Sequence, residues 1–265
     1  MVISDEFVFV ELNKTGSSHI QKLLRELVGG ERRGVHNAPS ADLVESNRDF
    51  LGSIRNPWDW YVSLWAYGCQ GDGTLHRRLT TTRLRGHGWR HTPVEAAVNF
   101  WQDLTRSCGK WKKLYADPTD PDLFQRWLIR VHNEGVGPFT NSQGIGSMGL
   151  LSRFYASLFW HPDHKEQAVK NFGASDEAKH TDDKQCYIDY FIRTEYLESD
   201  LASFLVDVIE IKSKVDLNKI YEADKTNSSS RKRNTGYYYD QSTLNLVGDK
   251  DGMIVDKFGY EPPLL

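Results

Sequence analysis

Residues 7–27, "FVFVELNKTGSSHIQKLLREL", decide the fold. A short apolar run opens the stretch. An amphipathic repeat closes it, with Ile20, Leu23, Leu24 and Leu27 at helical spacing. This pattern predicts a buried strand over 7–12 feeding a helix from Ser18 to Val28. The same succession returns downstream. "FLGSI" (50–54) reads as a second buried strand, and "RNPWDWYVSLWAYG" follows it, with Asn56 as N-cap and Pro57 at the first helical position. A third unit closes the chain's ordered pattern, with a strand expected over 187–192 before the helical "LESDLASFL". Strand, loop, helix in series predicts an α/β fold with a central parallel sheet flanked by helices.

The seam "NKTGSS" joins the first strand to its helix. In a parallel sheet, ligands bind beyond the carboxyl ends of the strands. A helix N-terminus there offers unpaired N–H groups and about half a positive charge. Small residues let an anion approach that backbone. Lys14 adds a point charge, and Thr15, Ser17 and Ser18 add hydroxyl donors around Gly16. The bland alternative is an ordinary polar loop with a solvated Lys. The seam is not a Walker A motif, because the Lys precedes the Gly. After the second strand stand Arg55 and, eight residues later, Ser63. A guanidinium is suited to a forked grip on phosphate, so these two are candidates for a second anion.

Taken together, the two stretches resemble the sulfotransferase family that uses 3′-phosphoadenosine 5′-phosphosulfate (PAPS). "NKTGSSHIQKLL" looks like that family's 5′-phosphosulfate loop, and "RNPWDWYVSLW" looks like its 3′-phosphate segment. "IRTEYLESDLASFL", "NSSSRKRNTGYYYD" and "FGYEPP" are similar to the carbohydrate-type branch. The resemblance covers residues 7–68 and 185–261 and leaves the middle third unmatched. It implies a single domain over 1–265 with a P-loop-like, three-layer fold. A mainly helical insertion over 70–184 would cover the active-site end on the acceptor side. It implies further that Lys14 contacts the sulfuryl bridging oxygen and that Thr15, Gly16, Ser17 and Ser18 cradle the 5′-phosphate. Arg55 and Ser63 would hold the 3′-phosphate, with Arg231, Lys232 and Arg233 closing over it. His19 stands where many cytosolic members carry an adenine-stacking Trp, a role that His19 or Trp58 would take. Asn13 replaces the family's usual Pro.

Sulfuryl transfer to a hydroxyl needs a base for the acceptor proton and positive charge at the leaving oxygen. "GVHNAPS" supplies His36, in a segment that resembles the family's K-x-H-x-P. Here Arg33 and Gly34 stand in place of the Lys region, and Pro39 comes one residue late. Glu11, at the end of the first strand, is the alternative base. The reaction requires no metal. PAPS is the implied donor, adenosine 3′,5′-bisphosphate its product, and the acceptor a hydroxyl compound.

The bulk properties agree with such an enzyme and exclude other classes. The 265 residues are 39% hydrophobic, enough for a sizeable core. A net charge of -3 and a pI near 6.3 argue against a generally basic nucleic-acid binder. Cys69, Cys108 and Cys186 lie far apart, so neither a disulfide framework nor a zinc knuckle is expected. No signal peptide pattern opens the chain, and no apolar run approaches the roughly 20 residues that span a bilayer. A soluble, cytoplasmic protein is the expectation. Between Gly73 and Val94, Arg77, Arg78, Arg83, Arg85 and Arg90 accumulate without an Asp or Glu. That run reads either as a solvated loop or as a clamp for an anionic acceptor such as a glycan. Two alternatives remain: a P-loop nucleotide kinase, and a non-catalytic nucleotide- or glycan-binding protein.

Overall fold

The computed structural model describes residues 1–81, 108–133, 148–163, 175–208, 217–223 and 233–265. The strands are β1 (Val2–Ile3), β2 (Phe7–Val10), β3 (Glu31–Arg32), β4 (Asp49–Ile54) and β5 (Tyr190–Arg193). Among the described residues they form one mixed sheet in the order β3-β1-β2-β4-β5. β2, β4 and β5 run parallel, with Phe7 opposite Asp49 and Leu51 opposite Tyr190. β1 pairs antiparallel with both β2 and β3.

The fully parallel sheet expected from the sequence is therefore corrected at one edge. A parallel pair needs a crossover of a dozen or more residues. Only Ser4–Glu6 separate β1 from β2, and Ser4 closes that turn by exchanging backbone and side-chain hydrogen bonds with Phe7. β3 reaches the same edge through Gly29 and Gly30, both at positive φ. A Cβ on Gly30 would stand 2.9 Å from Val2 Cγ1 and 3.2 Å from the Ile3 carbonyl oxygen, so only glycine fits there.

Two strand boundaries also move. β2 stops at Val10, not at residue 12. The Leu12 carbonyl accepts from Thr15 Oγ1 (2.7 Å) and the Asn13 carbonyl from Trp60 Nε1 (2.8 Å). The chain has turned into the loop. β5 starts at Tyr190, and just before it Asp189 brackets Phe50, its N–H donating to the Phe50 carbonyl at 2.9 Å and its carboxylate accepting the Phe50 N–H at 2.7 Å.

Helices cover both faces of the sheet. Phe7, Phe9, Leu51 and Ile192 point to one side, where they pack with α1 (Ser17–Leu27), α9 (Leu197–Ser203) and Ile220 of α10 (Asn218–Glu222). Val8, Val10, Phe50 and Ile54 point to the other. There they join α3 (Pro57–Cys69), α6 (Pro121–Asn133), α7 (Leu150–Phe159), α11 (Gln241–Lys250) and α12 (Gly252–Phe258). The period of two along each strand thus divides the apolar residues into two cores. The other α-helices among the described residues are α2 (Ala41–Val44), α4 (Thr74–Thr80), α5 (Cys108–Leu114) and α8 (Ser175–Gln185). The sequence-based helix over 18–28 is found as α1, one residue earlier at each end. The N-cap at Asn56 is found as expected, with its side chain accepting from Trp58 N–H at 3.1 Å. The stretch "TPVEAAVNFWQDL", whose Thr92, Pro93 and Glu95 read in the sequence as a capped helix start, lies outside the described residues.

The second core is pinned by a buried carboxylate. Asp251 is fully buried between α11 and α12, and its carboxyl is pushed above the usual carboxylate range by burial. It accepts from Tyr61 Oη (2.7 Å), Ser152 N–H (2.8 Å) and Ser152 Oγ (2.7 Å). Tyr61 Oη in turn accepts from Leu150 N–H at 2.9 Å. This network ties α3 to α7 and α12, and so fixes the helix that carries part of the candidate site. No helix among the described residues is long and apolar enough to cross a membrane.

Candidate functional site

The site gathers where β2, β4 and β5 end side by side. Parallel strands deliver their C-terminal loops to the same edge, so the loop 11–16, Arg55 and Arg193–Tyr196 become neighbours. Thr194 Oγ1 donates to the Ile54 carbonyl (2.9 Å), and Glu195 accepts the Asn56 N–H (2.7 Å). These bonds fasten the β4 and β5 loops together.

The loop 11–16 has an unusual backbone. Lys14 has φ 64° and Gly16 has φ 72°, both in the left-handed region. For a residue with a Cβ this costs about 1–2 kcal/mol. Backbone that alternates between the left- and right-handed regions makes concavities of N–H groups that bind anions. Gly16 is the N-cap of α1, and among the described residues no carbonyl accepts a well-formed hydrogen bond from the N–H of Ser17 or Ser18. Gly16 has a second reason to be glycine, since a Cβ there would lie 2.7 Å from Leu197 Cδ1.

Three clamps hold this backbone. Thr15, fully buried, shares a 2.7 Å hydrogen bond with Ser53 Oγ of β4 in addition to its bond to Leu12. Trp60 grips the Asn13 carbonyl from α3. Arg55 Nη1 donates to the Lys14 carbonyl at 3.0 Å. Arg55 is thereby tied directly to the loop that carries Lys14. Its Nε donates to Asp59 Oδ2 at 2.7 Å, one turn into α3. Asp59 also accepts a short bond from Thr235 Oγ1, which links the C-terminal segment to the same cluster.

Asp59, Ser63 and Tyr67 follow one another at i, i+4 along α3 and share a face. Asp59 holds Arg55, and the Lys14 ammonium lies over the Tyr67 ring, 3.9 Å from its centroid. Ser63, which is buried, stands between them. Burial pulls the Lys14 ammonium down to about 8, with a further push from Arg55 and an opposing pull from Asp72.

His36 lies in the loop before α2 and is solvent-exposed, with φ 50°. Its Nδ1 is 3.1 Å from the Glu11 carbonyl oxygen. A carbonyl can only accept, so Nδ1 carries the proton and Nε2 keeps its lone pair on the neutral ring. The ring is therefore oriented by the very loop that carries Lys14. Glu11 is 2% exposed, and its carboxylate is 3.6 Å from the terminal amino group of Met1. Of the two candidate bases, His36 is the one open to solvent.

The remaining expected residues fall differently. Ser17 is buried and Ser18 exposed. His19 is buried within α1. Trp58 belongs to the core, with its Nε1 donating to the Leu244 carbonyl at 3.0 Å, so its ring is not available to stack on a base. Arg233 is exposed and sits 5.3 Å over the Tyr237 ring. Arg231, Lys232, Arg83, Arg85 and Arg90 lie outside the described residues. Arg77 and Arg78 are on α4. Four residues of the cluster were not singled out from sequence: Ser53, Asp59, Tyr67 and Thr235. Asp59 was within reach, because an acid four residues after an Arg at a helix start is an (i, i+4) pair.

Among the described residues no group of three or more His, Cys, Asp or Glu is arranged to hold a metal ion. No family model matches the chain, and no curated protein and no solved structure matches it.

Proposed function

We propose that this protein is a PAPS-dependent sulfotransferase acting on a hydroxyl acceptor, with a P-loop-like three-layer fold. One observation carries the reading: Arg55 Nη1 and the Lys14 carbonyl are 3.0 Å apart, at the ends of adjacent parallel strands. A nucleotide phosphorylated at both the 3′ and 5′ positions needs two anion grips on one face of one pocket. The two grips expected from sequence are here joined by a hydrogen bond.

The residues fit such a donor. The N–H groups at the start of α1 and the left-handed backbone at Lys14 and Gly16 suit a 5′-phosphate. Arg55 suits a 3′-phosphate, with Ser63 and the segment Arg231–Arg233 as its expected partners. When bound, PAPS would supply a sulfuryl group on a bisphosphate leaving group. Lys14 then neutralises charge developing on the bridging oxygen, and its partly desolvated ammonium interacts more strongly there than it would in water. His36 Nε2 takes the proton of the acceptor hydroxyl as the oxygen attacks. Arg77 and Arg78 on α4 begin the basic stretch that would favour an anionic acceptor, a glycan being the natural case. Nothing in this scheme calls for nucleic acid, and a cytoplasmic setting is the reading that the wide spacing of Cys69, Cys108 and Cys186 along the chain supports.

The test is transfer of labelled sulfur from PAPS to a panel of hydroxyl acceptors, glycans included. Labelled product is expected with the wild type. His36→Ala should lower turnover by about 100-fold or more while leaving bisphosphate affinity within about threefold. A wild-type protein that releases no bisphosphate product with any acceptor would overturn the proposal.

A further inference from the structure

We propose that Tyr67 is a positioning residue for Lys14: its ring face holds the ammonium on the α3 side of the site, one turn beyond Ser63. The role in turnover rests on the sulfotransferase reading, whereas the pairing of ring and ammonium does not.

The geometry is direct. Lys14 Nζ stands 3.9 Å from the ring centroid, well inside the roughly 6 Å within which a cation is drawn to a ring face. Tyr67 is 36% exposed, so its ring is not a core residue whose position the packing of α3 alone explains. It is fixed instead by the loop behind it. Gly73, at φ 90°, follows the left-handed Gly71, and a Cβ on Gly73 would lie 3.1 Å from the Tyr67 ring. A bare backbone thus packs against the ring while Lys14 occupies its face.

This arrangement solves a physical problem. Lys14 is partly desolvated and sits near Arg55, and both effects favour loss of its proton. A ring face stabilises the cation without neutralising it. A carboxylate in the same place would bind the ammonium more tightly and would repel an incoming phosphate. Aromatic attraction is weak enough to yield to an anion, yet it keeps the side chain charged and aimed along the face shared with Asp59 and Ser63. Asp72 adds a smaller pull toward the charged form.

The experiment compares wild type, Tyr67→Phe and Tyr67→Leu. Phe keeps the ring face, and Leu fills a similar volume without it. Lys14 reactivity toward acetic anhydride is followed across pH by quantifying its peptide, in the absence of nucleotide. Only the neutral amine reacts. Losing the ring face should raise the Lys14 rate at pH 7 by about 2- to 30-fold and lower its titration midpoint, with Phe superimposing on wild type. A Leu profile identical to wild type, a midpoint that rises, or a Phe profile matching Leu would each overturn the proposal. In turnover, Leu should lower kcat by about tenfold with the KM for PAPS within about twofold, and Phe should restore it. A change confined to KM would overturn the positioning role. If the wild type transfers no sulfur, the sulfotransferase reading fails, and the acetylation profiles still decide whether the ring holds the ammonium.

Discussion

Replacing Lys14 with glycine and with alanine separates what its backbone does from what its ammonium does. Lys14 is held at φ 64° by bonds on either side of it, from Trp60 to the Asn13 carbonyl and from Arg55 to its own carbonyl. Strain of this kind persists where surrounding structure over-determines the backbone, and it clusters at functional sites. The left-handed conformation costs a residue with a Cβ about 1–2 kcal/mol. Alanine keeps that cost. Glycine removes it but gains unfolded-state freedom worth about 0.4–1 kcal/mol. Both variants lose the ammonium and its contact with Tyr67, so those contributions cancel in the comparison. Lys14→Gly should therefore be about 0.5–1 kcal/mol more stable than Lys14→Ala. Urea unfolding followed by far-UV circular dichroism measures the difference. Neither variant should transfer sulfur. If Ala proves as stable as Gly or more so, the backbone at Lys14 is not held in the left-handed region. If either variant turns over normally, the ammonium is not the group that meets the leaving oxygen.

Three further outcomes are expected. Gly16→Ala should lose about 2 kcal/mol of stability by urea unfolding, because its φ of 72° disfavours a Cβ and that Cβ would crowd Leu197 at 2.7 Å. Tyr61→Phe should cost about 2–4 kcal/mol, since it leaves both the Asp251 carboxyl and the Leu150 N–H short of a buried partner, and a lowered Tm would report it. With the Lys14 pKa near 8, kcat/KM should fall about tenfold per pH unit above that value as the cation is lost. The stability contribution of the same group has the opposite sign. Its folded pKa lies below the ordinary 10.5, so the unfolded chain binds more protons between about 8 and 10.5, and this contribution grows as pH rises through that window.

Much of the frame was legible because it is written in local periodicity. The alternation of Phe7, Val8, Phe9 and Val10, the helical spacing of Ile20, Leu23 and Leu24, and the Asn56–Pro57 start each depend on neighbours in the chain. The antiparallel edge was not legible, since β1 and β3 are two residues each and carry too little pattern to register. Their pairing is fixed by a three-residue turn and by a glycine whose role is steric. The candidate site divides in the same way. Lys14, Gly16 and Arg55 announce themselves by residue type at a strand end. Ser53, Tyr67 and Thr235 serve through long-range contacts with Thr15, Lys14 and Asp59, and nothing in a one-dimensional string marks those partners. Asp59, four residues after Arg55, is the one that local spacing does mark. Trp58 shows the reverse error, for an aromatic in a motif looked like a stacking surface and is instead a core residue tied to Leu244.

The most direct measurement is calorimetric titration of the wild type and Arg55→Ala with adenosine 3′,5′-bisphosphate, adenosine 5′-monophosphate and adenosine 3′-monophosphate. A single pocket built on Lys14 and Arg55 should bind the bisphosphate at least about 30-fold more tightly than either monophosphate, as two charge-assisted grips acting together require. Arg55→Ala should then bind the bisphosphate no better than the 5′-monophosphate. Equal affinities for all three nucleotides, or a bisphosphate preference that survives the loss of Arg55, would contradict the one-pocket account.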